Sequence, residues 1–382
     1  AISTGSVETL MVASEDEPFT NYGLIAETVE WPDDRSWVIF NLNPRARWHD
    51  GKPILADDVI WTFNTLIEQG NPQYRFYYGS VEKVEKLGER RIRFSFKEAN
   101  NRELPLIVGQ LPVLPKHYWA TRDFSKTTLE PPLGSGPYRV ESFEAGRFMV
   151  QTRVDDYWGW GHPTRVGQFN FAKIRTDFYR DVTAIRLALK SGKLDFRLEN
   201  QAKAWALDYD IDAVRDGLLI KQRVAHQAPQ GMQGTVLNTR RDVFSDPRVR
   251  EAVGFAFDFE WTNRNLFFDQ YTRSRSYFSN SHLAAVGLPE GQDLEVLEGF
   301  RGRIPDRVFN EAIEIPTTDG SGWARDNLRR AFALLEEAGW TVQDMKLLNA
   351  QGQQFGFEIL LYSRAFERIM LPWVRNLSLI HI

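Results

Sequence analysis

Paired carboxylates are among the residues of this chain most able to do chemistry, and the pairs to weigh are Asp57-Asp58 and Asp155-Asp156. Two acids flanking a glycosidic bond can share general acid and base or nucleophile roles. Asp57-Asp58, however, precedes Val59, Phe63, Leu66 and Ile67, a helical face that ends at Gly70. Acids in that position cap a helix and face its positive end, which accounts for the pair without catalysis. Asp155-Asp156 runs into Tyr157-Trp158-Gly159, a surface-turn composition. The six histidines, His49, His117, His162, His226, His282 and His381, have no metal-ligand spacing, and there is no cysteine. Thiol catalysis, disulfides and Cys-ligated zinc are thereby excluded. No P-loop, G-x-G-x-x-G, H-E-x-x-H or EF-hand loop occurs, and Gly134-Ser135-Gly136 and Gly320-Ser321-Gly322 lack the nucleophile-elbow pattern. A chain this long without a catalytic constellation reads as a binder: no enzyme, no cofactor, no metal.

Composition agrees with that reading. In 382 residues, 47 basic and 51 acidic side chains leave a net charge of −4, which argues against a nucleic-acid surface. No apolar run is long enough to span a bilayer. Aromatics reach 13%, with 12 Trp, 12 Tyr and 26 Phe. Such side chains build cores, and they also line clefts for peptides and sugars.

The elements that must position these residues are of both kinds. Val38, Phe40 and Leu42 alternate as a strand, as do Ile92, Phe94 and Phe96. Tyr138-Arg139-Val140 and Phe148-Met149-Val150-Gln151 read as further strands after the irregular run from Glu130 to Pro137. Helices are expected from Asp181 to the Gly192 stop, from Ser245-Asp246-Pro247 with Val249, Val253 and Phe257 inward, and from Asp326 to Gly339. Leu194–Leu198, Leu237 and the alternating Phe355, Phe357, Ile359 and Leu361 also read as strands. The mixture indicates an α/β protein with more than one lobe.

Three sequence blocks carry a family resemblance. The first is Phe40-Asn41-Leu42-Asn43-Pro44-Arg45-Ala46-Arg47-Trp48-His49-Asp50-Gly51-Lys52-Pro53, running on to Asp57-Asp58-Val59. The second is Gly134-Ser135-Gly136-Pro137-Tyr138-Arg139-Val140 with Asp156-Tyr157-Trp158; the third is Leu237-Asn238-Thr239-Arg240-Arg241 leading into Phe244-Ser245-Asp246-Pro247-Arg248-Val249-Arg250-Glu251-Ala252. Together they resemble the extracytoplasmic solute-binding proteins of peptide and nickel ABC importers, solute-binding family 5. The stretches Asn101–Trp119, Phe257–Asn263 and Ser276–Ser281 are similar to its microcin-C and oligopeptide-binding branch.

This resemblance implies a periplasmic-binding-protein type II-like α/β fold with two lobes and a small inserted domain, incomplete at both termini. It places lobe I at 1–27 and 126–231, the inserted domain at 28–125 and lobe II at 232–376. The closing residues 377–382 look like translated adapter sequence with no fold to receive them, and the chain by itself is expected to be poorly soluble and not to bind peptide. The implied function is capture of oligopeptides, or peptide-like compounds such as microcin C, and delivery to a membrane ABC permease. The protein would be a periplasmic monomer, although no targeting signal is visible. Ligand-contacting residues by resemblance are Tyr74, Tyr77 and Tyr78; Glu199, Asn200 and Trp205; Met232 and Gln233 at a glycine-flanked hinge; and Tyr277 and Phe278. Each aromatic cluster can equally be packing. His49 reads as a turn hydrogen-bonder. A carbohydrate-binding or carbohydrate-hydrolysing protein with a Trp-rich cleft is the alternative.

Overall fold

Alternation in Trp37–Leu42 places Val38, Phe40 and Leu42 on one buried side, and that strand organises the first sheet. In the computed structural model, which describes residues 5–14, 17, 20–226 and 229–382, β1 (Met11–Ala13) pairs with β2 (Asn21–Gly23). A four-stranded antiparallel sheet then joins β3 (Ala26–Glu30), β4 (Trp37–Leu42), β6 (Arg91–Phe96) and β5 (Val81–Gly88) in that spatial order. Val38 sits opposite Phe94, and Phe40 opposite Ile92. The expected alternation of Ile92, Phe94 and Phe96 is thus the inward face of β6.

Helix α1 (Ala56–Gln69) covers this sheet with Val59, Phe63 and Leu66, all buried. Asp58 fixes its start: Oδ2 accepts from Leu55 N at 3.0 Å and Oδ1 from Lys116 N at 2.9 Å. Asp57 pairs outward with Lys86. The first acidic pair therefore serves the helix terminus. Phe63 meets Phe94 edge-on at 5.5 Å, and Phe94 meets Phe40 at 5.9 Å. Such contacts add about 0.5–1.5 kcal/mol each beyond burial. Trp48, Phe63 and Phe94 share one core, which continues into Leu10, Tyr157 and Trp158.

The short helices α2 (Pro72–Tyr77), α3 (Leu104–Gly109) and α4 (Lys116–Trp119) follow α1 and flank β5 and β6 in the chain. A three-stranded antiparallel sheet of β7 (Tyr138–Glu144), β8 (Phe148–Arg153) and β9 (Lys173–Asp177) comes next, then α5 (Val182–Lys190), capped by Asp181. Ahead of β7, Gly134-Ser135-Gly136 is clasped by the N-terminal segment. Ser135 N and Gly136 N both donate to Ser6 O, and Glu8 N donates to Ser135 Oγ. A Cβ at Gly134 would fall 2.0 Å from Ser6 O, and one at Gly136 2.2 Å from Gly5 O. Glycine is required there by backbone approach.

Packing divides the chain between Ser191 and Gly192 into two compact units. The division precedes the hinge expected near Gln233 because residues 202–230 are tied to 270–280. Gln270 Nε2 donates to Ala202 O, Asn280 Nδ2 to His226 O, and Gln230 N to Ser279 O. The second unit contains α6 (Ala202–Leu207), α7 (Asp212–Arg215), α8 (Pro247–Phe255), α9 (Phe259–Leu266), α10 (Gly291–Glu298), α11 (Arg307–Asn310) and α12 (Arg325–Glu337). The hairpin β10 (Thr341–Gln343) and β11 (Lys346–Leu348) and helix α13 (Glu367–Ser378) complete it. Asp246 caps α8 with Pro247 in the first turn, as the Ser245-Asp246-Pro247 signal predicts. The core of this unit gathers Val249, Val253, Ala331, Leu335, Leu347, Phe355 and Trp373.

Three strand expectations fail. Among the described residues Leu194–Leu198, Leu237 and Phe355–Leu361 join no ladder. Phe355 is nevertheless buried, its N donating to Leu347 O of β11, while Leu360 is 97% exposed, so the last segment keeps strand-like sidedness outside any ladder. The closing residues also depart from expectation. Leu377 and Ile380 are buried in the second core, and Ile382 packs against it.

Candidate ligand-binding residues

The tyrosines at 74–78 occupy α2 and its C-cap, and Asn71 Oδ1 starts this helix by accepting from Gln73 N at 3.0 Å. Their roles separate. Tyr78 is 3% exposed and packs on Phe63 at 5.8 Å, so it belongs to the core; burial drives its hydroxyl pKa far upward. Tyr74 stacks on Tyr78 and is half-buried against the same core. Tyr77 faces solvent and donates to Gln110 Oε1 at 3.0 Å. The most exposed ring in the helix is Phe76, which the sequence did not single out.

In the second unit, Glu199 is the hub of a buried knot. Its Oε2 accepts from Tyr209 OH at 2.9 Å and Arg197 Nε at 3.3 Å, and its Oε1 from Gln201 N at 3.0 Å. Both oxygens hold protein groups in place, which is a scaffold role. Asn200 beside it is exposed. Trp205, on α6, is half-buried, and Lys221 Nζ sits 4.6 Å from its ring centroid. The ammonium is attracted by the ring's electron-rich face and also donates to the backbone carbonyl Trp205 O.

Met232 and Gln233 lie on exposed chain between Gly231 and Gly234. Neither glycine has a positive φ, and a Cβ at either would meet nothing within 4 Å. The isolated antiparallel bridge between Gln230 and Ser279 sets this segment beside Tyr277 and Phe278. All three side chains Met232, Tyr277 and Phe278 are substantially exposed, at 44%, 77% and 43%. The tie from Gln270 to Ala202 links the same loop region to the helix of Trp205. Three of the four expected clusters are therefore connected within the second unit, and the Tyr74–Tyr78 cluster stands in the first. Phe196 and Leu198 of the expected strand, and Val236, are large exposed apolar side chains on these segments. Their alternation suggests burial, so exposure could not be read from pattern.

The other polar candidates prove structural. His49 Nε2 bonds Gly136 O at 2.7 Å and its backbone N donates to Gly134 O, while burial lowers its pKa. Asp155 and Asp156 are exposed, with Arg47 Nη2 3.5 Å from Asp156 Oδ2. Buried Glu8 holds Tyr157 OH and Arg165 Nη2, each at 2.6 Å. Burial raises the Glu8 pKa, and Arg165 opposes the rise. The arrangement offers exposed aromatics, a flexible thioether and side-chain amides: groups for holding a ligand.

Comparison with known proteins agrees. Residues 21–375 match the bacterial extracellular solute-binding proteins, family 5. A protein of Brucella suis biovar 1 named as a binding protein is 44% identical over 97% of this chain and 61% of its own length. A peptidoglycan-binding protein of Agrobacterium fabrum is 41% identical over 98% of this chain and 62% of its own. The chain thus spans about three-fifths of these relatives. The oligopeptide-binding protein AppA of Bacillus subtilis, solved with a nonapeptide, superposes with a TM-score of 0.65 at 20% identity, covering 99% of this chain and 67% of that one. The mixed helix-and-strand architecture is accordingly that of the type II periplasmic binding proteins. This chain belongs to the bacterial extracellular solute-binding proteins, family 5.

Proposed function

We propose that the protein captures oligopeptides, or peptide-like compounds, in a cleft between two lobes and delivers them to a membrane ABC permease. The observation that carries this reading is the Gln230–Ser279 bridge, which brings exposed Met232-Gln233 beside exposed Tyr277-Phe278. An unbranched thioether and aromatic faces adapt to varied side chains. Backbone outside any ladder, as at 232–237, can offer amide and carbonyl groups to a peptide main chain, a contact that ignores sequence. The proposed lobes are 1–27 with 126–231 and 232–376, with 28–125 as the inserted domain and Gly231–Gly234 as the hinge. Work as a periplasmic monomer, without catalysis, belongs to the same reading. Tyr77, Trp205, Met232, Gln233, Tyr277 and Phe278 are the proposed contacts. Asn200, exposed beside the Glu199 knot, is kept among them. Tyr74, Tyr78 and Glu199 are assigned to support.

Calorimetric titration of the gene product that carries this chain, using trialanine and a mixed tripeptide pool, tests the proposal. Saturable binding without hydrolysis is expected. Turnover of a chromogenic glycoside, or binding of oligosaccharide in place of every peptide, contradicts it.

A further inference from the structure

Between α9, the Gly320–Trp323 turn and α13, the second unit holds a cavity of about 350 Å³. Trp261, Trp323 and Trp373 line it together with Asp258, Arg375 and Asn376. Its shape follows from local chemistry. Gly322 has a φ of 87°, and a Cβ there would lie 2.9 Å from the Trp261 ring, so the turn presses directly on that indole. Trp373 is buried and donates Nε1 to Val253 O, and Asn376 commits its Nδ2 to Ala256 O. Trp323, in contrast, is 64% exposed at the rim.

Asp258 makes the cavity more than an apolar dent. It is 4% exposed. Its Oδ1 caps α9 by accepting from Trp261 N at 3.0 Å, and it also takes the Thr318 hydroxyl at 2.5 Å. Its Oδ2 is buried and has no hydrogen-bond partner among the described residues. An unpaired buried carboxylate oxygen is costly, and a charged donor relieves that cost best. Indole faces are electron-rich and attract cations, and the wall already shows this, with the Arg375 guanidinium 5.3 Å from the Trp323 ring centroid.

We propose that this cavity is a second ligand site, distinct from the peptide cleft, and that it takes an organic ammonium ion: a primary amine on an apolar or aromatic body. The body lies between Trp261 and Trp323, and the ammonium donates to Asp258 Oδ2. Because that oxygen is closed to solvent, the carboxylate turns slightly on binding. The Thr318 hydroxyl, shared with Glu260 Oε2 at 3.1 Å, can follow it.

The test titrates the gene product with phenethylammonium chloride and, separately, with 2-phenylethanol, its neutral counterpart. Indole ¹H–¹⁵N signals are the readout, assigned through Trp261→Phe and Trp323→Phe variants. The amine should shift the Trp261 and Trp323 signals saturably and bind about tenfold more tightly than the alcohol. Asp258→Asn keeps an oxygen for the α9 cap and should abolish that preference. Trp323→Ala, at an exposed position, should weaken the amine severalfold even if the Asp258 variant fails to fold. Equal binding of amine and alcohol, an oligosaccharide such as cellobiose binding more tightly than either, or absence of shifts at Trp261 and Trp323 overturns the proposal. Tripeptide binding in the same samples is read independently, so loss of one leaves the other standing.

Discussion

Trp205 and Tyr78 show how two aromatics of similar appearance in the sequence divide between a half-buried pose and core packing. Trp205 is half-buried, with Lys221 Nζ over its ring. Trp205→Ala should cost peptide affinity about 1–3 kcal/mol, as truncation of aromatic anchors does, with little change in the unfolding midpoint. Tyr78→Ala should do the reverse. Removal of a ring buried against Phe63 should cost about 3–5 kcal/mol of stability in a denaturant titration. Comparable affinity losses from both variants would contradict the division. At Glu8 burial is the largest influence and holds the folded-state pKa above the ordinary carboxylate value. The folded chain then keeps that proton to higher pH than the unfolded chain. Its contribution to stability is full below the ordinary carboxylate pKa and is lost as pH rises through the raised one. Glu8→Gln should flatten this decline in urea midpoints measured across that range; an unchanged slope would refute the assignment.

Elements announced by both pattern and punctuation were legible in the sequence. Helix α1 has its apolar face and an acid that closes its first turn, α8 has Asp246 and Pro247, and α5 has Asp181. Strands β4 and β6 were legible because each other's alternation supplies a partner. The segments at Leu194 and Phe355 also alternate but join no ladder, since alternation records which side prefers burial and does not supply a partner along the whole segment. Site residues were less legible for a related reason. Tyr74, Tyr77 and Tyr78 share one composition, and only the pose of α2 separates core from surface. Glu199 looked like a cleft acid, yet its charge is spent on Arg197, Tyr209 and Gln201, partners unreadable from its own position. The glycines before β7 give the element-scale prediction. Gly136→Ala should destabilise the first unit by about 1–3 kcal/mol, because the new Cβ collides with Gly5 O. Gly161→Ala, where a Cβ meets nothing within 4 Å, should change stability by no more than about 0.5 kcal/mol. Equal melting shifts for the two would show that the clasp yields.

At the scale of the whole molecule, two units with separate cores fit a family whose members are extracellular solute-binding proteins. Among the described residues no helix is long and apolar enough to cross a membrane. Capture in place of chemistry is the central claim. Its polar knots, Glu8 with Tyr157 and Arg165 and Glu199 with Arg197 and Tyr209, brace structure, while exposed aromatic and thioether groups lie near the Gln230–Ser279 bridge. The most direct test is calorimetric titration of the gene product carrying this chain with a mixed tripeptide pool, alongside Trp205→Ala and Gln233→Ala variants. Saturable binding weakened by both substitutions is expected, with the peptides recovered intact. Absence of peptide binding by the folded gene product, or recovery of cleaved peptide, would contradict it.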